Sequence, residues 1–174
     1  YAVQARELTQ VQTILQEQIK RFGNTIFKQG TVITGCAESH NFNVPFIKVK
    51  DGFSGELSDY MGLTLVSSSG VEAIIKAVAI GAEAQTPYLN TLYVQYTSSD
   101  TATGKVSVFE DGEVLSVSGT EIFTVATNGI GVGSLFELAD GILYVNGNFV
   151  LHSDQIILLD PYTASPTQNV GFVL

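Results

Sequence analysis

The strongest constraint on this chain is a change of hydrophobic period near Gly30. Residues Gln4 to Phe22 contain no glycine or proline and are rich in Gln, Glu, Leu and Arg, all good helix formers. Within that stretch Leu8, Val11, Leu15, Gln18 and Phe22 follow a 3-4-3-4 spacing, which sets them in one stripe along a helix, the seam of a short coiled coil. Ile14 and Ile19 widen the stripe, while Gln4, Gln10, Gln12 and Gln16 fill much of the opposite face. A glutamine face offers hydrogen bonds without charge repulsion, which suits packing against copies of the same helix. The competing use of such a helix is to lie on its own β body. A seam of roughly two to three heptads is marginal alone, so the helix needs support from the rest of the fold.

Gly23-Asn24 is expected to end or kink the helix, and Gly30 to open extended structure. Beyond it the pattern is β. Thr31 to Thr34 is β-branched, Val44 to Lys50 alternates, and Asp51-Gly52 is a turn signal. Leu63 to Val66 and Val71 to Ile80 are joined by Ser67-Ser68-Ser69-Gly70; the β-branched content and flanking glycines of the second run favour strand over helix. Leu92 to Tyr96 alternates, and Ser98 to Gly104 reads as a polar loop. Lys105 to Phe109 and Glu113 to Val117 flank Asp111-Gly112 as a hairpin. Ile142 to Val145 and Phe149 to Leu151 flank Asn146-Gly147-Asn148, the strongest hairpin signal in the chain, and Gln155 to Leu159 is a last apolar strand before Asp160-Pro161. Glycine recurs at turn positions, as in proteins of many short antiparallel strands.

These patterns predict a mainly β fold with one N-terminal amphipathic α-helix. Residues 1–29 form the helical segment and 30–174 an antiparallel sandwich or barrel-like body, any division of which into subdomains falls near 81–91. The chain starts at Tyr1 on the approach to a helix and stops at Val170 to Leu174 on a strand-like run, so it is expected to be a segment of a longer polypeptide.

Charged residues make up only 14% of the chain and hydrophobic ones 45%, against roughly 25% charged in an average soluble protein. So little charge leaves a large free surface poorly solvated, which points to cover by partner subunits, although a thick β core would also use apolar residues. Lys and Arg total 8 and the net charge is -9, so the basic footprint that phosphate neutralisation requires is missing and nucleic acid is not an expected partner. Anionic membrane surfaces are disfavoured for the same reason, and the longest apolar run, Val78 to Ala82, is far short of the ~20 residues a spanning helix needs. No signal peptide is visible. One cysteine, Cys36, excludes an internal disulfide framework and fits a reducing compartment.

Candidate chemistry is sparse. Cys36 and His40 have the spacing of half a zinc site, but the other half is missing. His152 and Asp154 could join a serine, yet nothing resembles a nucleophile elbow. Gly129-Ile130-Gly131-Val132-Gly133-Ser134 looks like a phosphate loop but leads into the strand-like Leu135 to Leu138 without a lysine; a bulged or tightly packed strand entry explains it better. Two acidic clusters, Asp51, Glu56 and Asp59, and Glu110, Asp111 and Glu113, read as solvated turns. Tyr88, Tyr93 and Tyr96 do not form one sugar platform: Tyr88 lies outside the strand, and Tyr93 and Tyr96 point to opposite faces. No catalytic residue, metal or cofactor is expected.

The first block, Tyr1 to Gln10 through Leu15-Gln16 to Phe22-Gly23 and Phe27 to Gly30, resembles the opening of a virion structural domain of tailed bacteriophages, notably myoviruses of cyanobacteria. Asp140 to Val150, Gln155 to Asp160, Tyr162, Pro166 and Val170-Gly171 are similar to its far end, and Leu92 to Tyr96 and Phe109 to Glu113 fit more loosely. The resemblance spans nearly the whole chain and implies a baseplate, tail-fibre or neck-appendage component, trimeric, located in the virion and assembled in the host cytoplasm. It brings no catalytic residues.

The expected function is therefore that of an oligomerising adaptor or attachment domain, not an enzyme, whose partners are copies of itself and other virion tail proteins. Leu8, Val11, Leu15, Gln18 and Phe22 are the expected interface, with Gln18 setting register by hydrogen bonding to its symmetry mates at some cost in stability. The alternative is a carbohydrate-binding module for host surface glycans, which the absence of tryptophan disfavours. A hydrolase would need a carboxylate pair in a groove, and no motif marks one.

Overall fold

The computed structural model describes residues 5–50, 55–81, 89–97 and 107–172. It is mainly β with one N-terminal helix, as expected. Helix α1 (Ala5–Ile26) precedes strands β1 (Thr31–Gly35), β2 (Glu38–Val49), β3 (Thr64–Ser67), β4 (Glu72–Ala79), β5 (Thr91–Tyr96), β6 (Val114–Val117), β7 (Thr120–Leu138), β8 (Gly141–Val145), β9 (Asn148–His152) and β10 (Gln155–Asp160). Two compact units result, one from Tyr1–Ser39 with Glu137–Gln155, the other from His40–Phe136 with Ile156–Leu174. They do not follow the division at 29/30, because β1 pairs with β8 from far along the chain and so joins the helix to the later hairpin. The region near 81–91 lies in large part outside the described residues.

The first unit is a three-stranded sheet, β1-β8-β9, carrying the helix. Asn146 and Gly147 both have positive φ (49° and 86°), the backbone of a two-residue hairpin whose twist matches its strands, and Val145 pairs with Asn148 across it. The hairpin read from Asn146-Gly147 is thus present. Glycine is required at Gly147 for a second reason, since the stem of Lys20 occupies the space of a Cβ there. Gly30, also at positive φ (78°), turns the chain from helix to β1, and its N–H donates to the Tyr144 carbonyl at 2.9 Å.

The second unit is a seven-stranded sheet in the order β10-β7-β2-β5-β4-β3-β6, and β6 also pairs with β7. That last pairing closes a circuit of strands, so the body is barrel-like and only β10 lies outside the ring. The registered pairings are antiparallel: β2 with β5, β5 with β4, β4 with β3, β3 with β6 and β6 with β7. Alternate residues enter one core, with Ile47, Leu65, Ile75, Leu92, Val94, Phe109, Leu115 and Val125 fully buried in it. A smaller cluster of Val44, Phe46, Ala77, Tyr93 and Leu135, backed by Leu158 and Tyr162, covers the other face. β5 is central to both, which is why Thr91, Leu92, Tyr93 and Val94 are buried in succession.

Val71 to Ile80 contains a strand, β4, as its β-branched content indicated. The hairpin expected around Asp111-Gly112 does not form as read. Residues 107–110 have no regular structure, Lys105 and Val106 lie outside the described residues, and β6 turns instead into β7 through Ser118-Gly119, both at positive φ (50° and 82°). Serine in that conformation is uncommon, so the turn carries no strong signal in sequence. The helix neither ends nor breaks at Gly23 but runs to Ile26, for a reason given below. Of the run Val170 to Leu174, expected to be strand-like, residues 170–172 have no regular structure and 173–174 lie outside the described residues.

Candidate self-association interface

Two stripes on α1 do different work. Lys20, Gly23, Asn24 and Phe27 recur at helical spacing and meet the β1-β8-β9 sheet. The Tyr144 hydroxyl donates to Asn24 Oδ1 at 2.9 Å, with the Lys20 carbonyl a longer acceptor at 3.3 Å. Its ring lies over Gly23, where any Cβ would collide with it, and packs on Phe27 at 5.3 Å between centroids. Phe149 completes the group, 6.0 Å from Phe27 and 5.6 Å from Tyr144. Gly23 is therefore an approach point for an aromatic ring, and the tertiary contact outweighs the roughly 1 kcal/mol that glycine costs inside a helix.

The second stripe is the seam. Leu8, Val11, Leu15 and Phe22 are 52–69% exposed, Gln18 is exposed, and the flanking Ile14, Ile19 and Ile26 are 49–57% exposed. At about 100° per residue these positions span an arc of roughly 140°, centred well away from the stripe that meets the sheet. The helix therefore does not lay its apolar face on the sheet of its own unit. All five residues expected at an interface stand on one accessible face, and Ile26 extends it by a turn beyond the reading.

The sheet adds apolar surface that sequence reasoning missed. Phe149, Val150 and Leu151 of β9 are 54, 42 and 74% exposed, and Val32 of β1 is 50% exposed. The signal was available: three consecutive large apolar residues in a five-residue strand set Phe149 and Leu151 on one face and Val150, between Asn148 and His152, on the other.

Other candidate sites resolve into structure. The glycine-rich run lies wholly within β7, so no loop exists there to cradle a phosphate. A Cβ at Gly131 would enter the Phe46 ring, and one at Gly133 would meet Tyr93 and the Pro161 carbonyl at 2.7 Å each. The reading of a tightly packed strand holds, and the glycines are floors for aromatic rings. Tyr93 and Tyr96 sit on different clusters, Tyr93 donating from its hydroxyl to the Pro161 carbonyl at 2.5 Å and Tyr96 accepting from the Phe109 N–H at 3.2 Å. Burial pushes both phenols above their ordinary range, Tyr93 further because Tyr162 and Asp160 stand nearby. Tyr88 lies outside the described residues.

Among the acidic clusters, Glu113 accepts from the Ser69 hydroxyl at 2.5 Å and the Glu110 N–H at 3.0 Å, and Asp111 accepts from the Asn128 N–H at 2.7 Å. Partial burial alone would raise the Glu113 carboxyl; the hydrogen bonds from Ser69, Glu110 and Ser67 outweigh it and hold the carboxyl below its usual value. The Glu56 carbonyl accepts from the Asp59 N–H at 3.1 Å at the start of a short 3-10 helix, Leu57–Tyr60, and Asp51 is outside the described residues. Cys36 is buried in the first unit, while His40 stacks on Phe42 and Phe136 in the second. Among the described residues no three His, Cys, Asp or Glu side chains gather as a metal site, and no helix is long and apolar enough to cross a membrane. Comparison of the chain with family models, curated proteins and solved structures returns no match.

Proposed function

We propose that this chain is an oligomerising structural domain, built to join copies of itself through α1, and that it serves as an adaptor or attachment piece in a bacteriophage tail. The observation that carries the oligomerising role is the seam: seven large apolar residues on one helix face, about half or more exposed in the single chain. Each such side chain buried between chains contributes on the order of 1.5–3 kcal/mol. The breadth of the face favours three helices over two, because a two-stranded seam uses only the narrow central stripe and would leave Ile14 and Ile19 wet. Charge favours contact at this end. The helical segment holds four of the 8 basic residues (Arg6, Lys20, Arg21 and Lys28) and two of the 17 acidic ones (Glu7 and Glu17), so acidic copies meet here with least repulsion.

The tail setting, and with it other tail proteins as partners, is supported by the resemblance of the two terminal sequence blocks. Light scattering coupled to size exclusion tests the core of the reading. The wild-type chain is expected at the mass of three copies and Leu15→Asp at the mass of one. A wild-type chain that stays monomeric at micromolar concentration overturns it.

A further inference from the structure

We propose that residues 160–165 are a built-in ligand: a releasable strap lying in a slot on the barrel-like unit, a slot that takes an extended peptide carrying an aromatic residue directly after proline. The inference concerns this unit alone and does not depend on α1.

β10 and the strap are the part of the unit most readily detached. β10 joins the sheet through β7 alone, while the other six strands close on one another without it. None of the described residues 155–172 is buried. An ordinary packed loop buries its own side chains, whereas here the buried groups belong to the floor beneath. Thr91, Tyr93 and Ser134 are 0% exposed, and their hydroxyls meet the strap. Tyr93 donates to the Pro161 carbonyl at 2.5 Å and Ser134 to the Thr163 carbonyl at 2.6 Å, and Thr91 Oγ1 lies 3.2 Å from the Tyr162 hydroxyl. Enclosed hydroxyls are costly without partners, so this floor is suited to receiving a peptide backbone.

Space and shape agree. A Cβ at Gly133 would come within 2.7 Å of the Pro161 carbonyl oxygen and 3.2 Å of that of Asp160, so the strap rests directly on the backbone of β7. The Tyr162 ring stands between Phe46, edge-on at 5.4 Å, and the Lys48 ammonium, 4.4 Å from its centroid. The strap also satisfies donors of its own: the Tyr162 N–H donates to Asp160 Oδ1 and the Ser165 N–H to Thr163 Oγ1, both at 3.1 Å. With donors met internally and two carbonyls met by the barrel, it sits as a preorganised peptide sits on a receptor. The backbone bonds supply hold, and the recess for the ring supplies selectivity.

The test uses the full chain and a synthetic peptide spanning Leu158 to Ser165, titrated in a calorimeter. In wild type the tethered strap competes with the peptide at an effective concentration of about a millimolar. Tyr162→Ala empties the recess, so this chain should bind the peptide at least ~tenfold more tightly than wild type does. The same peptide carrying Tyr162→Ala should bind neither chain. A folded Tyr162→Ala chain that binds the peptide no better than wild type, or that binds both peptides alike, overturns the proposal. A second measurement needs no variant. In wild type the amides of β10 should exchange with deuterium at least ~tenfold faster than those of β5, because the strap opens while the ring of strands stays closed. Equal protection of the two strands overturns release.

Discussion

The two units of this protein solve the same problem in opposite ways. Among the described residues the barrel-like unit buries twenty-one apolar side chains and exposes eleven large ones, whereas the helical unit buries four (Cys36, Leu138, Leu143 and Tyr144) and exposes twelve. The first has an interior of its own. The second has a single well-buried aromatic, Tyr144, and most of its apolar surface faces outward, arranged in a helical stripe and an edge strand. A unit so small cannot enclose a core in one layer of helix on sheet. In the proposed assembly these stripes become an interior that several chains share. The contrast teaches that low charge across the whole sequence has two causes, a thick core in one region and an uncovered apolar face in the other.

The comparison can be broken at either side. The largest effect is expected in the barrel, where Ile75→Ala, at a fully buried site, should cost about 2–5 kcal/mol in denaturant unfolding whatever the state of assembly. Next, Leu15→Ala should remove about 1.5–3 kcal/mol per chain from assembly, read by sedimentation, yet leave the unfolding of the dissociated chain within about 0.5 kcal/mol of wild type. Equal losses in both measurements would mean that the helix face is covered within the chain. Gly131→Ala should destabilise the barrel by about 1–3 kcal/mol, because the Phe46 ring has to move, although alanine is ordinarily no worse than glycine in a strand. Gly23→Ala should show the same reversal in the helical unit: helix propensity predicts a gain of roughly 1 kcal/mol, and the Tyr144 ring turns it into a loss, seen as a lower melting temperature.

The smallest effect is electrostatic. Glu113 is more acidic folded than unfolded, so between those two values the unfolded chain binds more protons and stability rises with pH. Its contribution is complete above the ordinary glutamate range and is lost as pH falls through the lowered folded value. Glu113→Gln should flatten that acid limb of the stability curve, measured by unfolding from pH 6 downward to about pH 3.

Much of the fold was legible because local rules and tertiary context agreed. The 3-4-3-4 spacing of Leu8, Val11, Leu15, Gln18 and Phe22 identified the exposed helix face, Asn146-Gly147 identified the β8–β9 hairpin, and β-branched density identified β4. What was not legible depended on residues distant in sequence. Gly23 reads as a helix end until Tyr144 is known to lie over it. The turn at Ser118-Gly119 was hidden because serine rarely takes positive φ, while Asp111-Gly112, the better local signal, lies at a turn that does not join two strands of a hairpin. β9 was read as a hairpin arm, and its apolar residues acquire another meaning only when the strand is seen at an edge. The seam was visible from spacing alone; the exposure of β9 at a sheet edge needed the strand order.

The Tyr144–Gly23 contact makes α1 a pointer with its pivot near one end. From Gly23 back to Ala5 the helix extends about 27 Å at 1.5 Å per residue. A tilt of about 5° at the pivot therefore swings the far tip by roughly 2 Å, enough to slide a leucine out of the hole a neighbouring helix offers it. In the proposed assembly, angular play at one aromatic ring sets how often the tips of separate chains meet in alignment, and a snug glycine beneath that ring is a means of aiming.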